Sequence, residues 1–356
     1  MRIILHKKPA GIALIVALIA IAVLTVLAAS LALMMKTELR LAQNSDDQEQ
    51  IYWLGRSGVE LARWVLAQEA AVPNQPYDSL NQIWAGGPGG GNETNSALNG
   101  ILLQNFQVGA GTVSLKIVDL ESKININSAS PVLLRQVFTV MGVDANDVSV
   151  LSDSIEDWID TDDMPRTAGA ESDFYQTMTP PYMAKNSPID DLTELLSVRG
   201  VTPEMFWTDA GQHINMASHP QLGFGPAPGQ EPEYKFHFED VFTPFSSGRI
   251  NINTAGLNVL ETLPGVDENV AADIIKARAG PDGVDGTEDD TPFRSPGELA
   301  KVDPQLAGQA AQYCDVHSHT FEVHVDAHIG NQHREFVAIL LRNGPQDIQV
   351  VGFRWN

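Results

Sequence analysis

The chain has one cysteine, Cys314, so no intrachain disulfide can staple it, and cysteine usage gives no reading of compartment. Positive charge is also scarce. Only 22 Lys and Arg stand against 45 Asp and Glu, for a formal net charge of -23. So acidic a body repels phosphate backbones, which argues against nucleic acid as a partner. It attracts cations, and divalent metals come first. The sequence also lacks a P-loop, a Rossmann glycine fingerprint, an H-E-x-x-H helix and a G-x-S-x-G elbow. Paired acids such as Asp162 and Asp163 have no nucleophile beside them, so an enzyme is not expected. The 356 residues are 43% hydrophobic and 19% charged, an ordinary globular composition with room for one large domain or two medium ones.

Charged residues are absent from Ile12 to Met35, an apolar run interrupted only by Thr25 and Ser30. As a helix it reaches roughly 36 Å, enough to cross a bilayer core of about 30 Å. Arg2, Lys7 and Lys8 precede it and the acidic mass follows. The positive-inside rule therefore predicts a single-pass protein with a cytoplasmic N-terminus and its body on the other side. A cleaved secretory signal would need a shorter apolar region, and Ala28-Ala29-Ser30 lies too deep in the run to be its cut site. A plain anchor explains the run but not its flanks. A prepilin leader explains both: a short basic leader, a glycine at the cut, then an apolar stretch continuing into a longer helix. Lys7-Lys8-Pro9-Ala10-Gly11 precedes Ile12-Ala13-Leu14-Ile15-Val16, so cleavage is expected between Gly11 and Ile12. Pro9 blocks helix upstream, and Gly11 permits an extended backbone in a protease. Leu39, Ala42, Ile51, Leu54, Val59, Ala62 and Val65 share one helical face. The helix is therefore predicted to continue from Ile12 to about Leu66, half of it beyond the membrane.

Further on, residues 85–100 read as a Gly/Asn-rich loop and Gln107–Asp119 as a strand. The chain then repeats itself. Lys123-Ile124-Asn125-Ile126-Asn127-Ser128-Ala129 matches Arg249-Ile250-Asn251-Ile252-Asn253-Thr254-Ala255. Each copy leads to helical stretches around Met141-Gly142-Val143-Asp144 or Pro264-Gly265-Val266-Asp267. Each then reaches an acidic segment and a Ser-Pro, at Ser187-Pro188 or Ser295-Pro296. Ser128 and Thr254 are expected as helix N-caps. The pattern predicts two copies of a strand with a small helical bundle. Ser318–Ile329, Glu335–Arg342 and Asp347–Arg354 read as an antiparallel meander, with turns at Gly330-Asn331 and Asn343-Gly344.

The N-terminal pattern resembles the type IV pilin and type II secretion pseudopilin superfamily, whose fifth mature residue is usually Glu. Counting from Ile12, that position is Val16, so the pairing that Glu is thought to make with a neighbouring subunit's amine is missing. This departure is typical of the minor pseudopilin K of type II secretion, placed at the filament tip. The body adds Asp157-Trp158-Ile159-Asp160-Thr161-Asp162, Gly169-Ala170-Glu171, Phe174-Tyr175, Pro181-Tyr182, Asn186-Ser187-Pro188, Leu192-Thr193-Glu194-Leu195 before Val198-Arg199-Gly200-Val201, and Asn251–Ala255. All are similar to that family's motifs. Segment 211–248 fits least and reads as an insertion or linker.

The resemblance implies an α+β fold: a long N-terminal transmembrane and amphipathic helix packed on a pilin-like antiparallel sheet, with a large inserted helical domain of SAM-like or helix-hairpin-helix-like repeats. The expected divisions are a leader at 1–11, a transmembrane helix at 12–35 and its periplasmic continuation at 36–72. The first part of the pilin-like domain follows at 73–127, the inserted domain at 128–248, a second helix-hairpin-helix-like unit at 249–312 and the closing strands at 313–356. It further implies a tip subunit that initiates or caps the pseudopilus. Its partners would be minor pseudopilins I and J, other pseudopilus subunits, prepilin peptidase and the inner-membrane assembly platform.

Two acidic segments are candidate calcium sites, because calcium takes 6–8 oxygen ligands that carboxylates on a turning loop can provide. The first holds Asp160, Asp162, Asp163, Glu171 and Asp173. The second holds Asp282, Asp285, Glu288, Asp289 and Asp290 with intervening glycines, without EF-hand spacing. Calcium in the globular part is also what the family resemblance implies. Near the C-terminus, His324, Asp326 and His328 would share one strand face, as zinc ligands could. They alternate with Phe321, Val323, Val325 and Ala327, as an exposed sheet face does, and that reading is preferred. Leu263-Pro264-Gly265-Val266 before Val270–Arg278 resembles a helix-hairpin-helix, which raises a membrane-tethered DNA receptor as a rival function. Asp267 and Glu268 in the turn oppose phosphate, so the motif reads as packing. A minor pilin of a type IV pilus is the other alternative.

Overall fold

The computed structural model describes residues 10–89, 97–98, 100–207 and 234–355. The basic residues of the expected leader, Arg2, Lys7 and Lys8, and Pro9 with them, lie outside the described residues. So do 90–96 and 99 of the glycine-rich loop and 208–233 of the expected linker.

Helix α1 runs unbroken over Ala10–Ala70. It therefore begins upstream of Gly11, not at Ile12, and the uncut chain is helical through the expected cleavage point. The reason is cooperative propagation: a single glycine inside a helix costs about 1 kcal/mol, which a long apolar helix absorbs. The most apolar 18-residue window of this helix has a mean hydropathy of 3.1 and none of it is buried, so length and composition suffice to cross a membrane. From Ile12 to Asp46 every side chain is exposed. Of the face expected to pack, Ile51, Leu54, Val59, Ala62 and Val65 are buried, joined by Leu66. Leu39 and Ala42 are not, because no sheet lies beneath that part of the helix.

The sheet has five strands in the order β1-β2-β7-β8-β9, all antiparallel. Strands β1 (Phe106–Val108) and β2 (Gly111–Asp119) form a hairpin, so the single strand expected at 107–119 is broken at Gly109 and Ala110. The meander is β7 (Thr320–Ile329), β8 (Gln332–Gly344) and β9 (Asp347–Trp355). Its first turn is at Gly330-Asn331 as expected. The second lies at Pro345-Gln346, two residues past Asn343-Gly344, since Gly344 still pairs with Asp347. Proline has no N–H to give a ladder, so the turn suits it. Strand alternation puts Val113, Leu115, Ile117, Phe321, Val323, Val325, Ala327, Phe336 and Ala338 in one buried cluster with α1. The helix reaches the sheet through two glycines. A Cβ on Gly58 would lie 2.3 Å from Val325 Cγ1, and one on Gly55 would lie 2.4 Å from the Phe336 ring.

Between the neighbouring strands β2 and β7 the chain leaves the sheet and builds a helical body on a second core. That core runs continuously from Ile124 to Val316. Each repeat opens on a two-residue strand paired in parallel: β3 (Ile124–Asn125) with β4 (Phe242–Thr243), and β5 (Ile250–Asn251) with β6 (Cys314–Asp315). In the first repeat follow α2 (Pro131–Met141) and α3 (Ala145–Ile159); in the second, a single turn at Leu257–Leu260 and a helix at Glu268–Arg278. The expected N-caps are wrong. Ser130, before Pro131, caps α2 through Leu133 N–H, and Gly256 precedes the turn of the second repeat. Ser128 and Thr254 sit too early because the chain first completes a turn closed by the asparagines: Asn127 N–H meets Asn125 Oδ1, and Asn253 N–H meets Asn251 Oδ1, both at 2.9 Å.

A buried polar knot ties the body to the sheet. Asp119, at the end of β2, accepts from Glu121 N–H at 2.8 Å, Ser318 Oγ at 2.6 Å, Thr254 Oγ1 at 2.5 Å and Asn251 Nδ2 at 3.3 Å. Glu121 accepts from the amides of Ser247, His319 and Thr320. Asp78 accepts from Arg342 Nη2 and from Ser318 N–H. Burial, then the charge of Glu121, pushes the Asp119 carboxyl up to about 8, although the Ser318 and Thr254 hydroxyls pull the other way.

Candidate functional site

The first acidic segment forms a convergent site at the C-terminal end of α3. Asp153 and Asp157, on the buried face of that helix, shape the loop that follows. Asp157 accepts from Arg166 N–H at 3.1 Å and from Arg166 Nη1 at 2.9 Å, and Asp153 Oδ2 accepts from Ala168 N–H at 3.1 Å. Gly169 lies against the Asp157 carboxylate so closely that a Cβ there would sit 1.9 Å from Oδ2. Trp158 packs edge-on to Tyr175 with ring centroids 5.2 Å apart, which holds the far side of the loop. The motif residues Asp157, Trp158, Gly169 and Tyr175 are thus the loop's scaffold.

On this scaffold Asp160, Asp162 and Glu171 bring one carboxylate oxygen each to within 4.8 Å of one another. Asp160 also pairs with Arg166, which holds Glu156 at 2.8 Å as well. Both oxygens of Glu171, Oδ1 of Asp160 and Oδ1 of Asn186 are buried with no hydrogen-bond partner. Buried acceptors left unpaired are costly, and those of Asp160 and Glu171 belong to the convergent group, where a cation could satisfy them. Desolvation, followed by the charges of Asp157, Asp160, Asp163 and Asp162, pushes the Glu171 carboxyl up to about 7. An all-oxygen set of carboxylates suits a hard divalent ion, calcium above all. Asp163 stands beside the group, accepting from Asn186 Nδ2 at 3.0 Å. Asp173 does not join it; it is exposed on the single turn Ser172–Tyr175. Asn186 is legible in the sequence only as part of a motif, because an isolated Asn carries no charge pattern to place it beside the acidic loop, where its Nδ2 also donates to the Asp162 carbonyl at 2.9 Å.

The second acidic segment is arranged differently. Asp285 takes both ends of the Arg278 guanidinium, at 3.0 and 2.7 Å. Asp282 accepts from Val284 N–H, Asp289 from Asp282 N–H, and Asp290 from Gly286 and Thr287 N–H. Glu288 joins no convergent group among the described residues. These carboxylates fold their own loop. The helix-hairpin-helix turn is lined by Glu261 and Glu268, both on Lys235 Nζ at 2.8 and 2.9 Å. A turn so charged does not favour the DNA-receptor reading.

At the N-terminal end, Gly11 and Ile12 lie in the first turns of α1, and Val16 is an exposed apolar residue within the run. The helix thus carries no charged group where the superfamily's Glu would stand.

Comparison with known proteins agrees with this architecture. The family model of type II secretion system (T2SS) protein K matches residues 113–208, which include most of β2, the helices of the first repeat and the first acidic site. The putative type II secretion system protein K of Escherichia coli (strain K12) is 27% identical over 216 residues, 57% of this chain and 61% of that protein. Protein K of Aeromonas hydrophila is 27% identical over 220 residues, 56% and 61% of the two chains. The chain thus spans about three fifths of the length of these two relatives. With protein K of Pseudomonas aeruginosa the likeness covers 96% of this chain and 91% of the other at 23% identity. In fold it is similar to a chain of the GspK-GspI-GspJ complex from the enterotoxigenic Escherichia coli type 2 secretion system. The TM-score there is 0.61 at 18% identity, over 88% of this chain and 99% of that one. The first repeat and the acidic loop thus fall inside the match to the type II secretion system protein K model, and the Pseudomonas relative aligns with the chain almost end to end.

Proposed function

We propose that this protein is a minor pseudopilin that stands at the tip of a type II secretion pseudopilus, where it initiates or caps the filament that drives protein export across the outer membrane. The observation that carries this reading is where the helical body is inserted. It leaves the sheet between the end of β2 at Asp119 and the start of β7 at Thr320, and Ile83, in the segment that joins α1 to β1, donates to Glu69 near the end of α1. The apolar segment is at the other end of the same helix. A subunit built this way has a slender base and a broad head, which suits the end of a helical filament and not its shaft. Val16 agrees, since a tip subunit has no neighbour above to pair with a buried Glu, and an unpaired carboxylate in the bilayer is expensive.

The role is structural and not enzymatic. Helix α1 holds the subunit in the inner membrane before assembly, with the N-terminus cytoplasmic and the body periplasmic, as the basic leader and acidic body favour. Minor pseudopilins I and J are its neighbours, packed helix to helix; prepilin peptidase cuts it after Gly11; and the inner-membrane assembly platform extrudes it. Calcium in the Asp160, Asp162, Glu171 loop stiffens the head, with Asp163 and Asn186 beside it to complete the coordination. The second acidic loop takes calcium only if Arg278 or the loop amides give up their carboxylates.

Co-expression with prepilin peptidase followed by N-terminal sequencing tests the processing step. The wild type is expected to begin at Ile12 and Gly11→Ala to stay uncut; an uncut wild type, or a Gly11→Ala chain that still begins at Ile12, would overturn it. Purification together with the I and J subunits tests the tip position. A stable complex of the three supports it, and a chain that copurifies with neither sinks it.

A further inference from the structure

We infer that the β7–β8 hairpin carries a second metal site of a different chemical class, formed by Asp326, His328 and His333 and suited to a borderline ion such as zinc. His328 and His333 stand directly opposite each other in the ladder, and Asp326 is two residues before His328 on the same face of β7. That face points away from α1, because Val325 and Ala327 between them are buried under the helix. The two imidazoles stack with centroids 4.5 Å apart and planes inclined by 25°. Both direct Nε2 at one carboxylate oxygen: His328 Nε2 lies 3.4 Å from Asp326 Oδ1, and His333 Nε2 contacts the same atom. The three donor atoms lie within 4.8 Å of one another.

Two nitrogens and one oxygen are the ligand set of an open zinc site. Zinc–ligand bonds of about 2.0–2.1 Å place tetrahedral ligands roughly 3.3 Å apart. The His328–Asp326 separation already meets this, and exposed side chains at a hairpin end can adjust the rest. The neighbouring His324 is not a ligand. Its Nε2 lies 2.7 Å from Glu322 and its Nδ1 3.2 Å from Glu335, so both ring nitrogens are engaged. Without metal, His333 hydrogen-bonds to Asp326 and His328 stands beside the same oxygen. With metal, each Nε2 gives up its proton and offers a lone pair. A fourth position stays open on the exposed side. The hairpin is at the end of the sheet towards the apolar segment, since Leu54, near the start of the packed part of α1, lies against Gly111 beside the His328 carbonyl.

The test is titration of the full chain in detergent micelles, stripped of metal and then held in excess calcium so that carboxylates able to bind a hard cation do not compete for zinc. Zinc uptake is followed by calorimetry, and cobalt as a probe by its visible absorption. The wild type is expected to take one zinc per chain, and the His328→Ala/His333→Ala chain and the Asp326→Asn chain to bind at least about ten-fold more weakly. Cobalt should give the intense bands of low coordination in the wild type alone. No saturable zinc uptake by the wild type overturns the site, and so does affinity within ten-fold of wild type in the double variant. All three side chains are at the surface, so unchanged melting of the metal-free variants separates lost ligation from lost fold.

Discussion

Asn253 holds Phe293 by both of its backbone polar groups: Nδ2 donates to the Phe293 carbonyl at 2.9 Å, and Oδ1 accepts from its N–H at 2.8 Å. The first repeat has the same clasp. Asn127 Nδ2 donates to the Ile189 carbonyl at 2.9 Å and its Oδ1 accepts from Ile189 N–H at 2.7 Å. The second asparagine of each N-I-N motif therefore docks the segment next to each Ser-Pro, which explains why motif and Ser-Pro recur together. The clasp of the second repeat is fully buried and that of the first only partly.

Asn253→Ala leaves a buried N–H and a buried C=O unpaired. Each orphaned group costs about 1–3 kcal/mol, so a loss of about 2–6 kcal/mol is expected for the two. Asn127→Ala should cost less, since Asn127 is itself half-exposed and water can enter where its side chain is removed. Urea denaturation followed by tryptophan fluorescence measures both, and equal losses would count against the burial argument.

The Gly58–Val325 contact sets how near the helix lies to the sheet. In an exposed helix Gly→Ala stabilises by about 1 kcal/mol. At Gly58 the sign should reverse, because a Cβ would stand 2.3 Å from Val325 Cγ1 and 3.2 Å from Leu115 Cδ2. Overpacking of this kind typically costs about 1–3 kcal/mol. Gly58→Ala is therefore expected to lower the melting temperature, and pairing it with Val325→Ala should restore part of the loss. A more stable single variant would show that the helix does not lie this close.

Asp119 makes the junction sensitive to alkali. Its carboxyl is raised to about 8 in the folded chain against 3.8 when free. Between those values the folded state holds a proton that the unfolded state has released. Stability from this group is thus greatest below the unfolded value and falls as pH rises towards 8. Asp119→Asn cannot lose that proton and should flatten this part of the pH dependence. Denaturation at about pH 6 and pH 8.5, with both chains also carrying Glu171→Gln so that this raised carboxyl does not titrate, reads the difference between the two slopes. Identical slopes would remove Asp119 from the account.

How much of this could be read in the sequence depended on the range of the interaction. Local patterns were legible. The apolar run of α1, the alternation in β7 and the repeated N-I-N units each follow from spacing along the chain, and each stands in the structure. The acidic loop was legible as composition, and the fold separated its members, bringing Asp160, Asp162 and Glu171 together while leaving Asp173 on the surface. Contacts across long separations were not legible. Nothing near Thr254 indicates that its hydroxyl would serve Asp119 instead of capping a helix. His333 was passed over because it falls on the neighbouring strand, where only the ladder register puts it opposite His328. Asn186 is a comparable case, reaching the acidic loop from beyond Tyr182.

Glu171 distinguishes a calcium site from an acidic loop that merely folds. Without metal, its buried carboxylate faces Asp157, Asp160, Asp162 and Asp163, which raise its pKa together with burial. Glu171→Gln removes one charge from that crowd and keeps the shape. In chelator, therefore, the variant should melt at or above the wild-type temperature. With calcium the order should reverse. A ligand at one hundred times its dissociation constant stabilises by about 2.7 kcal/mol, and the variant forfeits most of this because a neutral amide is a weaker ligand for a hard cation. Asp173→Asn, outside the convergent group, should respond to calcium as the wild type does. A crossing of the two melting curves for Glu171→Gln, with none for Asp173→Asn, is the expected signature. A Glu171→Gln chain that stays less stable than wild type in both conditions would mean that the carboxylate serves the fold and not a metal.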